Sequence, residues 1–373
     1  MDIAFLTPVV YPFVKGGAEK RIYEIGHRLV DRGHSVTIYS RHWWEGSENK
    51  TYEGMQLRSI GPAPELYADE DRRSISSAVK FTARLVPAIT RHGDDHDLFV
   101  TPVAPYFHVM SGRLASLFQK TPLVVTWHEV WNDYWYDYMG KPGAIGKAVE
   151  HLISNIPHHA VAPSEMTAEK FRNLPGINPD VRVIPNGIDT ERVQTTAPAP
   201  EGFEILFAGR LIEDKNVDLL LDAFNRVDTN ATLGVIGDGP QYDVLRNHAD
   251  SLDSSNRIEF LGFLEEYSDV LAHMRAAELF VSPSIREGFG ITLLEAMAAD
   301  CTVVTVDHQF SAGSEVVGDA GFITQPIVHE ITQTIEQALD GDRPPADPVS
   351  RAKEFDWDKI AIDTEQYFED IIK

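Results

Sequence analysis

LFVSPSIREGFGITLLEAMAA, residues 279–299, runs from an apolar strand through a glycine-containing turn into a helix that begins near Ile291. A strand that ends in such a turn aims backbone N–H groups and the positive end of the following helix at one point, an anion site. Glu287 stands before the turn, and Glu295 lies eight residues on, about two helical turns deeper. One carboxylate can reach sugar hydroxyls beside a phosphate while the other meets a ribose, because carboxylates accept well from vicinal diols. The plainer alternative is a helix with one capping glutamate and one exposed glutamate.

Outward from this stretch the same strand–turn–helix grammar repeats. EILFAGR (204–210), ATLGVIG (231–237), IEFLGF (258–263) and CTVVTV (301–306) read as strands of one α/β unit. IAFLTPV (3–9), SVTIYS (35–40), DLFVTPV (97–103), LVVTWH (123–128), HAVAPS (159–164) and VRVIPN (181–186) make an earlier set. Between the first two, residues 18–33 place Ile22, Ile25, Leu29 and Val30 on one helical face and end at Gly33. At 373 residues the chain exceeds the size at which one core keeps growing. Two Rossmann-like domains are therefore expected, 1–192 and 203–352, with VQTTAPAPEG (193–202) as linker and a last helix over 353–373.

The N-terminus lacks a basic n-region and reads as a first strand, and no apolar run is long enough to span a bilayer, so a cytoplasmic protein is expected. The lone Cys301 excludes an intrachain disulfide and sits in an apolar run as a small core residue. Net charge is −24, and the acidity suits a salt-adapted surface while arguing against a nucleic-acid partner. The charge is uneven: 20 Lys+Arg against 22 Asp+Glu through Asp189, then 13 against 35. The near-neutral first half suits contact with an anionic membrane or a phosphorylated acceptor; chance composition is the alternative.

FAGRLIEDKNVDLLLDAF (207–224) ends a strand at Gly209 and then places Arg210 and Lys215 around a short loop. Two cations at the carboxyl end of a strand suit a diphosphate, and surface pairing with Glu213 and Asp214 is the alternative. Gly16 and Gly17 precede the first helix, where backbone can approach a phosphate. His128 ends a strand at a position where doubly wound sheets hold ligands. DHD (95–97) has metal-diphosphate spacing but leads directly into a strand and reads as its solvated entry, so no metal is expected. GDGP (237–240) lacks the third glycine of a dinucleotide fingerprint.

In order, GGAEK, RGHSV, TWHE, APSE, VIPNGID, FAGRLIEDK, GDGP, FLGFL and PSIREGFGITLLEAMA resemble glycosyltransferase family 4 nearly end to end. The resemblance implies a GT-B fold: two Rossmann-like domains with parallel sheets facing across a cleft, the last helix crossing back to the first. It implies a hexosyltransferase-type enzyme taking a UDP-, GDP- or ADP-sugar, with retention and without a bound metal. By that likeness Arg210 and Lys215 hold the donor diphosphate, Glu295 the ribose and Glu287 the hydroxyls of the transferring sugar. Gly288, Phe289, Gly290 and Ile291 add phosphate contacts, Gly16 and Gly17 approach from the first domain, and Gly262, Phe263 and Leu264 bear on the base. His128 matches a histidine near sugar and acceptor. Same-face attack is the expected route to retention, with a transient covalent intermediate as the other.

TWHEVWNDYWYDYMG (126–140) departs from the family in its aromatic content and is either a sugar- or lipid-facing wall or a packed flap. In residues 73–91, Arg73, Lys80, Arg84 and Arg91 form one helical stripe beside an apolar one. Such a helix can lie on an anionic membrane, which fits a lipid-linked or polysaccharide-precursor acceptor; a core-facing helix with a solvated basic edge is the alternative. The rival functions are a nucleotide-sugar epimerase of the same fold and an inert relative acting as a scaffold.

Overall fold

The computed structural model describes residues 1–63, 75–92, 96–176 and 180–373, the side chains of 75–77 and 90–92 excepted. It divides into two compact units: Met1–Pro185 with Trp357–Lys373, and Asn186–Asp356. Both are α/β, each built on a parallel sheet.

The first unit has eight strands: β1 (Asp2–Leu6), β2 (Ser35–His42), β3 (Asn49–Tyr52), β4 (Met55–Pro62), β5 (Leu98–Pro102), β6 (Leu123–Thr126), β7 (His159–Ala162) and β8 (Val181–Val183). Their order is β3-β4-β2-β1-β5-β6-β7-β8, all parallel but for the antiparallel β3–β4 hairpin. Its two-residue turn puts Glu53 at φ 46° and Gly54 at φ 74°, the left-handed pair that matches the twist of a tight hairpin. Central strands are buried on both faces, as parallel sheets covered by helices require: Ile3 pairs with Val36 on one side and Leu98 on the other. The helices are α1 (Gly17–Asp31), α2 (Ile75–His92), α3 (Phe107–Gln119), α4 (Tyr134–Met139), α5 (Gly143–Ser154) and α6 (Glu165–Arg172).

The second unit has six parallel strands: β9 (Ile205–Ala208), β10 (Leu233–Ile236), β11 (Ile258–Gly262), β12 (Leu279–Ser282), β13 (Thr302–Val306) and β14 (Phe322–Thr324). They run in the order β11-β10-β9-β12-β13-β14. Its helices are α7 (Thr190–Thr195), α8 (Val217–Phe224), α9 (Tyr242–Asp250), α10 (Tyr267–Ala276), α11 (Ile291–Ala298), α12 (Gly313–Val317), α13 (Val328–Leu339) and α14 (Pro348–Ala352). Cys301 is buried, as its apolar run implies.

The units part at Pro185/Asn186, ahead of the stretch 193–202 that the composition marks as linker. The reason is packing: Ile188 and Val193 are buried in the core of the second unit, and Asp189 caps α7 by accepting from the Arg192 amide. The chain returns at Trp357 as α15 (Trp357–Ile372), which belongs to the first unit. Trp357, Ile360 and Phe368 join the core beneath α1, and Arg28 donates to Asp358 and Arg32 to Glu365, each at 2.6 Å.

Strand order reverses between β1 and β5 in the first unit and between β9 and β12 in the second. In doubly wound sheets ligands bind outside the carboxyl ends of the strands at such reversals.

Candidate functional site

In the second unit the residues singled out from sequence gather at one edge of the sheet. Gly209 and Arg210 follow β9, Gly262–Leu264 close β11, and Glu287–Gly290 lie between β12 and α11. Backbone bonds lock these strand ends together. Gly209 N–H donates to Ile236 O at 3.0 Å and Gly237 N–H to Gly262 O at 2.9 Å. Gly237 sits at φ +136°, and a Cβ there would fall 1.8 Å from Gly209 O, so only glycine lets the two strand ends come so close.

Lys215 ends a single 3-10 turn (Glu213–Lys215) after β9, and Ile285 N–H donates to Asp214 O at 3.0 Å. That bond brings the Lys215 turn beside the Glu287 segment, and Lys215 Nζ donates to Glu287 Oε2. Lys215 thus pairs with Glu287, 72 residues away, rather than with neighbouring Glu213 or Asp214. Glu287 is held in turn by its own backbone: its N–H donates to Phe310 O at 3.1 Å and its carbonyl accepts from Ala312 N–H at 2.8 Å. Arg210 is exposed on the same loop.

α11 begins at Ile291, preceded by Gly290 at φ +92°, a left-handed conformation that suits glycine. A Cβ on Gly290 would also meet Leu293 Cδ1 at 2.8 Å. Glu295 is 3% exposed, and its Oε1 accepts from the Tyr267 hydroxyl. It is therefore a buried, oriented carboxylate and not the exposed glutamate of the plainer alternative. Tyr267, at the start of α10, carries the Arg192 guanidinium over its ring at 5.1 Å. Phe263 is exposed at the end of β11 and Gly262 has φ +69°.

In the first unit His128 follows β6 and lines a mainly apolar cavity with Arg21, Thr101, Thr126, Ile184 and Phe368. Burial, reinforced by the nearby Arg21 charge, pushes the imidazole down to about 3. The imidazole is therefore held in its neutral form at ordinary pH, able to donate or accept a hydrogen bond. Arg21 reaches from α1 to the end of β8, donating to Pro185 O at 2.6 Å and Ile184 O at 3.0 Å, and burial lowers it to about 10. Gly16 caps α1 and Gly17 opens it, both exposed. A Cβ on Gly16 would meet Glu19 Oε2 at 2.2 Å, so the Glu19 carboxylate already folds over this helix end.

The aromatic segment is mainly a packed flap. Trp127 is buried, and Trp131 stacks among Tyr134, Trp135 and Tyr138 with ring centroids 4.7–5.3 Å apart. Buried Glu150 holds the flap down by accepting from the Trp131 amide at 2.9 Å, the Asn132 amide at 2.6 Å and the Tyr106 hydroxyl at 3.2 Å. Tyr136 and Tyr138 stay exposed.

Of DHD, Asp95 lies outside the described residues. His96 is buried against Tyr39 and Asp2, at 3.0 and 2.6 Å, and Asp97 accepts from the Asp2 amide at 2.8 Å, which are strand-packing contacts. Among the described residues no group of three His, Cys, Asp or Glu is placed to hold a metal ion. Sequence reasoning missed Arg21, Tyr267 and Glu150, and had Gly237 only as part of the GDGP turn. Arg21 alone left a signal, a cation on the core-facing stripe of α1 beside Ile22 and Ile25.

Two family models match adjacent stretches: Glycosyltransferase Family 4 over residues 15–192 and Glycosyl transferases group 1 over 189–355. Among curated proteins the chain is similar to alpha-monoglucosyldiacylglycerol synthase of Streptococcus pneumoniae, 25% identical over 82% of this chain and 70% of that one. It is similar also to a glycogen synthase of Mycobacterium tuberculosis, 25% identical over 96% of this chain and 92% of that one. Among solved structures, Anabaena Alr3699/HepE in complex with UDP and glucose superposes with a TM-score of 0.74 at 21% identity, covering 99% of this chain and 100% of that one. Sucrose-phosphate synthase from Thermosynechococcus elongatus gives a TM-score of 0.79 at 18% identity, covering 99% and 98%.

Proposed function

We propose that this chain, which belongs to the family 4 glycosyltransferases of the GT-B fold, transfers a sugar from a nucleoside diphosphate to a lipid-linked or polysaccharide-precursor acceptor, with retention and without a metal ion. The observation that carries this reading is the paired Lys215 and Glu287, set with Arg210 at the edge of the β9/β12 reversal.

Without a ligand, Lys215 and Glu287 neutralise each other in a half-buried pair. A donor diphosphate takes over Lys215 and Arg210, and the sugar hydroxyls take over Glu287. Giving up the pair costs little, about 1 kcal/mol for a partly solvated ion pair. The N-terminal amides of α11, from Gly288 to Ile291, add partial positive charge at the same place. Glu295, oriented by Tyr267, accepts from the ribose diol, and Gly262–Leu264 bear on the base. In the first unit, neutral His128 is a hydrogen-bonding group for the acceptor, and Gly16 and Gly17 open α1.

In the reaction the C1–O bond to the diphosphate breaks as the acceptor oxygen bonds to C1 on the same face. The acceptor proton passes to a donor phosphate oxygen, and the fixed cations and amides stabilise the charge that grows on the leaving diphosphate. The acceptor class is taken from the relatives, which include a monoglucosyldiacylglycerol synthase and a glycogen synthase. UDP leads among the candidate nucleotides because the similar Anabaena structure holds it.

The test is a thermal-shift screen of UDP, GDP, ADP and their sugars, with and without EDTA. Ligand binding to the native state raises apparent stability by mass action, by about 2.7 kcal/mol at a hundredfold excess over Kd. A shift with one nucleotide, unchanged by EDTA and lost in Arg210→Ala, is expected. Folded protein that shifts with none of them, or only when metal is present, contradicts the proposal.

A further inference from the structure

We infer that the first unit carries a docking face for an anionic lipid bilayer, formed by the outer sides of α3 and α5 with the basic edge of α2 beside them. This rests on surface chemistry alone and stands whether or not the transferase reading holds.

Helix 73–91 by itself does not form this face. Arg73 lies outside the described residues, and the apolar side of α2 points inward, with Phe81, Leu85 and Ile89 buried in the core. What α2 leaves in solvent includes Lys80 and Arg84 together with Val79, Ala83 and Pro87. Most of the large exposed apolar side chains belong to its neighbours. On α3, Met110, Leu114, Leu117 and Phe118 recur at helical spacing and all stand in solvent, Phe118 at 72% exposure. On α5, Ile145 (71% exposed) and Leu152 stand seven residues apart on the outer side. Arg113 of α3 and Ser154 of α5 line one depression, so the two helices come together at that point. A soluble monomer seldom leaves so many large apolar side chains together.

Charge selects the occupant. The chain carries 57 Asp and Glu, yet α2, α3 and α5 together contain one acidic residue, Glu150, and that one is buried against the aromatic flap. The basic residues on and beside these helices include Lys80, Arg84, Arg113, Lys120 and Lys147. Asp133 and Asp137 lie on the adjoining α4 turn, and Lys147 pairs with Asp133. An apolar face whose helices expose no acidic side chain, with a mostly basic rim, on a protein whose net charge is −24, is complementary to anionic headgroups. Among the described residues no helix is long and apolar enough to cross a membrane, so the contact is peripheral. Since α3 and α5 follow β5 and β6 in the chain, their first turns lie towards the carboxyl-end edge of the sheet, the edge at which His128 follows β6.

The experiment is vesicle flotation of the full chain without nucleotide, using phosphatidylglycerol and phosphatidylcholine vesicles. The protein is expected to float with the anionic vesicles, less as salt rises, and to stay behind with the neutral ones. Leu117→Ser/Phe118→Ser is expected to lower partitioning at least about tenfold, as the loss of two buried apolar side chains implies. Lys80→Glu/Arg84→Glu lowers it as well. Both double variants keep the wild-type melting temperature and nucleotide-induced shift, which separates this inference from the transferase proposal. Absence of flotation with anionic vesicles overturns the inference, as does equal flotation of the Leu117/Phe118 variant. So does a dimer in sedimentation velocity that this variant abolishes, because the face would then bind a second copy.

Discussion

His108 supplies an acid-sensitive contact whose size follows from its surroundings. It lies fully buried at the start of α3, its Nε2–H donates to Pro102 O at 2.8 Å, and burial pushes it down to about 4. In the unfolded chain it titrates near about 6.5. Between these values the unfolded state binds a proton that the folded state refuses, so stability is full above the unfolded pKa and falls as pH drops towards the folded one. Working through the two titrations, moving from about pH 7.5 to about pH 5 removes roughly 2 kcal/mol through this residue alone, rising to about 3 kcal/mol below pH 4. His128 and His158, pushed down to about 3 and about 4 by burial, add in the same direction. Carboxylates held low by hydrogen bonds and ion pairs, among them Glu24, Glu204 and Glu365, lose their contribution only as pH falls through the acid range below these histidines. The interval from 6.5 to 5 therefore belongs to the histidines. Urea unfolding followed by tryptophan fluorescence at the two pH values measures the loss. His108→Gln retains a donor for Pro102 but cannot titrate, so its loss should be smaller than wild type by about 2 kcal/mol. An equal loss in the variant refutes the assignment of a neutral, buried His108.

Glu150→Ala leaves the Trp131 and Asn132 amides without their acceptor and should cost about 3 kcal/mol, with Glu150→Gln roughly half that because one oxygen remains; a melting-temperature change corresponding to under about 1 kcal/mol would mean the flap is held otherwise. Gly237→Ala forces a Cβ against Gly209 O and should cost roughly 3 kcal/mol or more while displacing the end of β9. Its nucleotide-induced thermal shift should vanish even at temperatures where circular dichroism shows it folded, and an unchanged shift would count against a site built on that strand end.

The strand runs were legible because parallel strands buried on both faces appear as unbroken apolar stretches. The helix starts at Gly17 and Ile291 were legible because glycine turns precede them. The β3–β4 hairpin was not: NKTY is a polar edge strand, and only the Glu53-Gly54 turn betrays it. Arg210, Lys215 and Glu287 could be nominated from sequence, yet that Lys215 meets Glu287 depends on the Ile285–Asp214 backbone bond, which no spacing announces. Tyr267 over Glu295 is equally long-range. The exposed stripes of α3 and α5 were hidden for a different reason. FHVMSGRLASLFQ and GAIGKAVEHLIS are apolar nearly all round, and pattern alone gives such helices to the core. The unit boundary was misplaced by composition, since a Pro- and Thr-rich stretch marks a surface loop whether or not domains part there.

The central claim is that the edge formed by β9 and β12 reads a diphosphate. Calorimetric titration of the wild type, Lys215→Met and Arg210→Met with UDP and UMP, and with the matched guanosine and adenosine pairs, tests it most directly. One base is expected to be preferred, and its diphosphate to bind at least about tenfold tighter than its monophosphate, as charge-assisted contacts to a second phosphate require. Either substitution should close that gap while leaving monophosphate binding nearly intact. A wild type that binds both equally, or variants that keep the full difference, would contradict it.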